Sequence, residues 1–485
     1  MSLYKKLFQQ TAIYGLATVF PRLLSFILVP LYTEYLPTDE YGKVSIIFSY
    51  LIFFNVVLTY GMETAFFRFY TTSENKKSVV STATLSLLGS TLAFLLVALF
   101  FKSELASLTK ISINYLVYTI WILVADTLVV IPFAKLRAEN KPVKYAVIKI
   151  LNVALNLGLN VFFLVFLPKL AQESTSSFFK TIYEPNFQIG YIFISNLIAS
   201  VFTFIIMLPS YFKMKWQFDT LLWKKMLRYG FPVLIAGIAF AINEHFDKIL
   251  LEFMGVSLDQ IGAYSACYKI GLFMVLFRTA YTLGIEPFFF SHAQHKNAPQ
   301  TYAQITKYFV IFGSFMALGI IVFADVIKIF LVPKATYWEA MDVVPLIVLA
   351  NFFLGIYTNL SVWYKLIDKT KVGAYISLVG AAVTLLINFM LIPVLGFMGS
   401  AIATIFAYGT MMLISYKMGQ KAYPIPYDFN KIGLYLSLTI ILGAFSFYVP
   451  ILRKTYVFGV LSLLIFAYFV FRNEKDLILK ILKRK

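Results

Sequence analysis

Several charged and amide side chains sit inside stretches that are otherwise leucine, isoleucine, valine and phenylalanine. Arg22 follows Pro21 in "FPRLLSF", about 12 residues into an apolar run, roughly 18 Å deep at 1.5 Å per helical residue. A guanidinium at that depth needs water or a partner, because a charge at the bilayer centre costs about 3 kcal/mol on insertion scales. Its planar fork and permanent charge suit a phosphate, with an internal ion pair as the alternative. In "KILNVALNLGLN", Lys149, Asn156 and Asn160 fall within about 40° of one another on a helix, with Asn152 beside them. That stripe either lines a wet cavity or bonds one helix to the next, a task asparagine performs well in lipid. Lys149 leans towards the cavity.

Acids occupy the same runs. Asp126 lies in the fourth, and "NEHFDK" brings Glu244, His245, Asp247 and Lys248 to the end of the seventh. Glu244 and Lys248, an i,i+4 pair, can neutralise each other, so Asp247 is the better candidate for a cation or proton site. Lys269 and Arg278 in the eighth run are nine residues apart and point to opposite faces. "YGMETAFFRFY", residues 60–70, carries Glu63 and Arg68, about 140° apart and so not partners. Arg68 is expected to snorkel to head groups. Glu63, one turn deeper, suits a gate or a helix-end tether.

The elements that position these groups follow from composition. The 485 residues are 60% hydrophobic and 13% charged, about half the charged share of a soluble domain; mean hydropathy is +0.80. The chain reads as all-α and polytopic, with fourteen transmembrane helices between residues 11 and 471. The first is taken as a permanent span, since no cleavage site follows it. With both termini in the cytoplasm, 28 lysines and arginines fall on the inner side and 10 on the outer, a strong positive-inside skew. The net charge of +19 therefore reads as topology, and nucleic acid is excluded as a partner because no basic soluble region exists. Cys267 is the only cysteine, so the chain forms no internal disulfide. The three histidines show no metal-ligand spacing, and nothing calls for a cofactor.

The start of the seventh span echoes the first. "YGLATVFPRLLSFILVPLYTEYL" from Tyr14 answers "YGFPVLIAGIAFAINEHFDKILLEFM" from Tyr229, and "YGMETAFF" answers "LGIEPFFF", pairing Glu63 with Glu286. Six intervening spans make the repeat parallel, as in transporters with two similar bundles. We expect a six-helix lobe at 1–215, a second at 216–425, and two additional helices with a basic tail at 426–485, the lobes enclosing a central cavity.

These stretches, with "EYGKVSIIFSYLIFF", "IGAYSACYKIG" and "LINFMLIPVLGFMGSAIAT", resemble bacterial polysaccharide flippases of the Wzx type. That group transports O-antigen and exopolysaccharide units within the superfamily that includes lipid II flippases and multidrug (MATE) exporters. The resemblance covers nearly the whole chain and implies a transporter of the bacterial inner membrane. Such a protein moves undecaprenyl-diphosphate-linked oligosaccharide to the outer leaflet by alternating access, with membrane lipids around it. Arg22 matches a basic position in the family's first span. Lys149, Lys269 and Arg278, with Asn152, Asn156 and Asn160, complete the candidate cavity lining. Glu63, Asp126, Asp247 and Glu286 are candidates for proton or sodium coupling or for a gate. The ion, the glycan and any polymerase or assembly partner stay open. A drug or cation exporter of the same superfamily is the nearest alternative, and a membrane polymerase or acyltransferase a distant one. The chain has no GxxxxGK loop for ATP.

Overall fold

The computed structural model describes residues 26–173 and 177–482. Among these residues the fold is helical throughout, with thirteen helices long and apolar enough to cross a membrane. We number them with the helical stretch at 26–35 as α1. Unit 1 then contains α2 (Thr38–Thr72), α3 (Lys76–Phe100), α4 (Ile113–Ala138), α5 (Pro142–Glu173), α6 (Gln188–Phe212) and α7 (Thr220–His245). Unit 2 contains most of α8 (Leu258–His292), followed by α9 (Ala298–Val322), α10 (Ala335–Leu366), α11 (Lys371–Leu395), α12 (Phe397–Ala422), α13 (Phe429–Tyr448) and α14 (Val457–Lys475). Chain contacts divide the protein after Glu252, except that 257–262 go with unit 1 and 253–256 with unit 2. Thirteen of the fourteen expected spans thus have a helix each. The first, at 11–33, lies mostly outside the described residues, and so does Arg22.

Loops alternate between a lysine- and arginine-rich end of each unit and a poorer end. Three helices at the basic end, α3, α7 and α13, begin on side-chain caps: Asn75 accepts from the Ser78 N–H (3.1 Å), Asp219 from Leu222 (2.9 Å) and Asp428 from Lys431 (3.1 Å). Many serine and threonine hydroxyls within spans donate to the carbonyl one turn back, as with Thr119 on Tyr115 and Thr127 on Leu123, both 2.7 Å, whereas those of Thr91, Ser265 and Ser314 are buried without a partner. No water is available to them in lipid.

In unit 1, α3 packs on α4, α4 on α6, and α5 on α6. Six helices later α9 packs on α10, α10 on α12, and α11 on α12, so the repeat seen in sequence recurs as packing. Met62, Phe66, Val79, Ile131, Ala134 and Met226 are buried together where α2, α3, α4 and α7 meet. In unit 2, Trp363, Ile376, Tyr408 and Met411 do the same for α10–α12. Outward positions such as Leu96, Phe100 and Val394 stay exposed, as expected for side chains whose solvent is lipid. Cys267 is fully buried in α8, its Sγ donating to the Tyr337 carbonyl at 3.2 Å.

Three irregularities matter for function. Tyr60 and Gly61 both take left-handed φ (34° and 72°) and break α2 into Thr38–Thr59 and Met62–Thr72. There α7 crosses so closely that a Cβ on Gly61 would lie 2.2 Å from the Gly230 carbonyl oxygen. Glycine is required on both counts. The break makes a new helix N-terminus, whose dipole favours the acidic Glu63 in its first turn. In α5, Phe162–Phe166 form a π-helical turn. In α14 the backbone kinks at Glu474 (φ −119°, ψ 20°), which is 6% exposed and accepts from Lys307 of α9 and Lys431 of α13, both at 2.8 Å.

Candidate functional site

A cavity of about 340 Å³ opens among the helices of unit 1. Each of four helices contributes polar groups to it. From α2 come Asn55 and, beyond the break, Glu63; from α4, Asp126; from α5, Lys149 and Asn152; from α6, Asn196, Ser200 and Thr203. Val129, Val130 and Phe133 supply an apolar wall. The Ser200 hydroxyl donates to Asp126. Lys149 holds its ammonium 4.4 Å from the centre of the Phe133 ring and feels the charges of both Asp126 and Glu63. Asn152 donates to the Ala199 carbonyl (3.0 Å) and to Thr203 Oγ1 (2.9 Å), tying α5 to α6 while lining the space. Glu63 is bound by Arg137 of α4 at 2.7 Å, with both side chains nearly half exposed.

Two carboxylates, Glu63 and Asp126, and one base, Lys149, line this space, and Arg137 balances the group from outside it by pairing with Glu63. Adding one proton or cation makes the cluster net positive. Removing the engagement of a base makes it an anion site. Such a balanced, partly buried group can change charge without a large structural change, because every member keeps a hydrogen-bond partner or a ring face.

The structure thus brings Glu63, Asp126, Lys149 and Asn152 together. It places the other sequence candidates elsewhere. Asn160 is buried, donating to Asn156 Oδ1 (2.7 Å) and accepting from the Tyr32 hydroxyl (3.0 Å), so this end of the stripe bonds α5 to α1. Asp247 is buried beside Lys248, whose ammonium reaches both carboxylate oxygens at 2.9 and 3.0 Å. Lys269 and Arg278 are half-buried in α8; the Arg278 stem lies by Gly355 of α10. Glu286 pairs with Lys365 of α10. This last contact repeats Glu63–Arg137 six helices on, from α8 to α10 instead of α2 to α4. Arg68 is exposed, and its guanidinium lies 4.3 Å from the centre of the Tyr229 ring.

Sequence reasoning missed Asn55, Asn196, Ser200 and Arg137. A signal existed for α6, because Asn196, Ser200 and Thr203 at i, i+4 and i+7 share one face. No comparable pattern marks Asn55 or Arg137.

Solved structures share this fold. The lipid II flippase MurJ in an inward closed conformation superposes with a TM-score of 0.73 at 18% identity, over 96% of this chain and all of that one. An outward-facing multidrug resistance MATE family transporter of the MOP superfamily gives 0.58 at 14% identity, over 89% of this chain and 96% of that one. A MATE transporter of Vibrio cholerae gives 0.56 at 16% identity, over 87% and 98%. At these identities the likeness is one of fold. In sequence, an uncharacterised membrane protein of Methanocaldococcus jannaschii is 23% identical over 190 residues, 39% of this chain; the match spans less than half (44%) of that relative. The family described as polysaccharide biosynthesis protein matches residues 7–281, more than half of the chain. This chain, a multi-pass all-helical protein with the fold of MurJ and the MATE transporters, belongs to the polysaccharide biosynthesis protein family.

Proposed function

We propose that the protein is a flippase, without enzymatic activity, that moves undecaprenyl-diphosphate-linked oligosaccharide between leaflets of a bacterial inner membrane by alternating access. The observation that carries this reading is the charge-balanced cavity of unit 1 in a chain of the polysaccharide biosynthesis family. In this reading Asp126 and Glu63 exchange a proton or cation, and neutralising Asp126 releases Lys149 to attract the diphosphate, with Arg22 as a second contact. Glu286 and Lys365 act with Glu63 and Arg137 as repeat-related tethers at the basic, cytoplasmic end. Binding energy for the diphosphate would thereby depend on the state of the coupling group, which is the differential affinity any coupled carrier needs.

Deleting the gene in its own host tests this. Lipid-linked glycan should accumulate in the inner leaflet and surface glycan should fall, with rescue by the wild-type gene. Rescue should fail with Arg22→Ala or Lys149→Met, and partial rescue by Arg22→Lys would place charge above fork geometry. An unchanged leaflet distribution after deletion would refute the reading. A drug or cation exporter is the second reading, favoured because two carboxylates face one lysine in the cavity. It predicts sensitivity to cationic dyes in the deletion strain with glycan unaffected.

A further inference from the structure

At the opposite, poorly basic end of unit 1 lies a second pocket, of about 250 Å³, which the coupling cavity does not use. Its walls come from the end of α1, from α5, and from the loop leading into α6. The π-helical turn Phe162–Phe166 forms one side and presents Phe163, Leu164 and Val165 to the space. A π turn has poorer hydrogen-bond geometry than the α-helix around it and recurs where a chain must aim side chains at a ligand. Phe163 stacks on Tyr191, rings 5.1 Å apart and 7° from parallel. The Tyr191 hydroxyl is fixed in turn, accepting from the Glu184 N–H at 2.6 Å and donating to the Ile182 carbonyl at 3.1 Å. The result is a rigid aromatic wall. Tyr35 and Tyr183 stand at the rim, Tyr35 39% exposed.

The polar groups are few and mixed: Lys169, Glu184 and the amide of Gln188. The Gln188 carbonyl oxygen is buried with no hydrogen-bond partner in the protein. Buried polar atoms of this kind are uncommon in native structures and call for an explanation. This side-chain oxygen keeps an unused acceptor site beside the pocket. Flat aromatic faces beside a neutral amide, one acid and one base do not select an ion or a long acyl chain. They match a ring with apolar C–H faces and a hydroxyl edge. We propose that this pocket binds one uncharged pyranose, a sugar of the translocated glycan, as it emerges at this end. The proposal rests on the flippase reading for its physiological ligand but not for the binding itself.

The test is saturation-transfer NMR on the full-length protein in nanodiscs, with N-acetylglucosamine, galactose and rhamnose as probes. At least one should show transfer that saturates in the millimolar range, where binding is worth about 4 kcal/mol. Gln188→Leu and the rim variant Tyr35→Ala should each weaken it by about tenfold, as expected for losing a hydrogen bond or a ring face. Tyr35 lies on the exposed rim, so its truncation leaves folding intact even where the Gln188 variant does not. Absence of saturable transfer from all three sugars, or transfer unchanged in the Tyr35 variant, would overturn the site. Sugar binding without any effect of gene deletion on glycan would instead remove the flippase reading and leave the pocket standing.

Discussion

Replacing Glu474 by Gln should destabilise the last two helices far more than a surface charge change would. Glu474 is 6% exposed and bridges Lys307, 14% exposed in its side chain, and Lys431, 33% exposed. Removing one partner of a buried pair costs about 3–5 kcal/mol, since the remaining charge stays out of water. Two features lower that figure here. Lys431 retains a third of its exposure and regains hydration. Glutamine keeps an acceptor oxygen, which recovers about 1 kcal/mol as one neutral hydrogen bond. The expected loss is about 2–4 kcal/mol. Reversible unfolding in mixed detergent and SDS measures it, and hydrogen exchange of the α13 and α14 amides locates it. A cycle with Lys307→Met should give a coupling of about 1–3 kcal/mol, because the two sites are in contact. A change below about 0.5 kcal/mol, with exchange in α14 unaltered, would refute the claim that this cluster holds the kinked helix on α9 and α13.

Other consequences are equally direct. Gly61→Ala should cost about 3 kcal/mol or more, from left-handed φ plus a Cβ 2.2 Å from the Gly230 oxygen, read as lost thermal stability and a weakened α2–α7 contact. Glu63→Gln should alter stability by less than about 1 kcal/mol, because Glu63–Arg137 is nearly half exposed, yet abolish rescue of glycan export in the deletion strain. At the poorly basic end of unit 2, burial raises the affinity of Asp325 for its proton, but Arg453 (2.5 and 2.8 Å) and Lys328 (2.6 Å) outweigh it and hold the carboxyl below its usual range. The unfolded chain then binds the proton more tightly. The stabilisation is complete above the unfolded value near 3.9 and disappears as pH falls through the lower folded one. Asp325→Asn should flatten that part of an unfolding-versus-pH curve, and a curve identical to wild type would count against the cluster.

The spans were legible because a bilayer imposes length and apolarity on every crossing helix, and the repeat was legible because Glu63 and Glu286 sit in matching contexts. Lys149 could be expected near a cavity because a polar stripe does not face lipid, whereas for Asn152 the stripe left cavity and helix contact equally open and Asp126 stood only as a coupling candidate. What sequence could not supply was contact over long separations. Arg137 is 74 residues from Glu63, and only the break at Tyr60–Gly61 turns that carboxylate towards α4. Asp247 was open in sequence to a cation or proton, and in the structure it meets Lys248 in the segment that starts at Asp247, after the preceding helix ends at His245. Asn156 and Asn160 had equal claims to cavity and helix contact, and the partner that sequence could not supply for Asn160 is the Tyr32 hydroxyl of α1.

Cys267 has a practical consequence. The chain's one thiol is fully buried in α8 and engaged with the Tyr337 carbonyl, beyond the reach of maleimides and methanethiosulfonates in the folded protein. The natural sequence is therefore already a silent background for reporter chemistry. A cysteine placed at exposed Phe100 or Val394 would be the single labelled position, and a pair of them would carry a donor and acceptor dye. The opening and closing that a carrier must perform could be timed in single molecules without first rebuilding its interior.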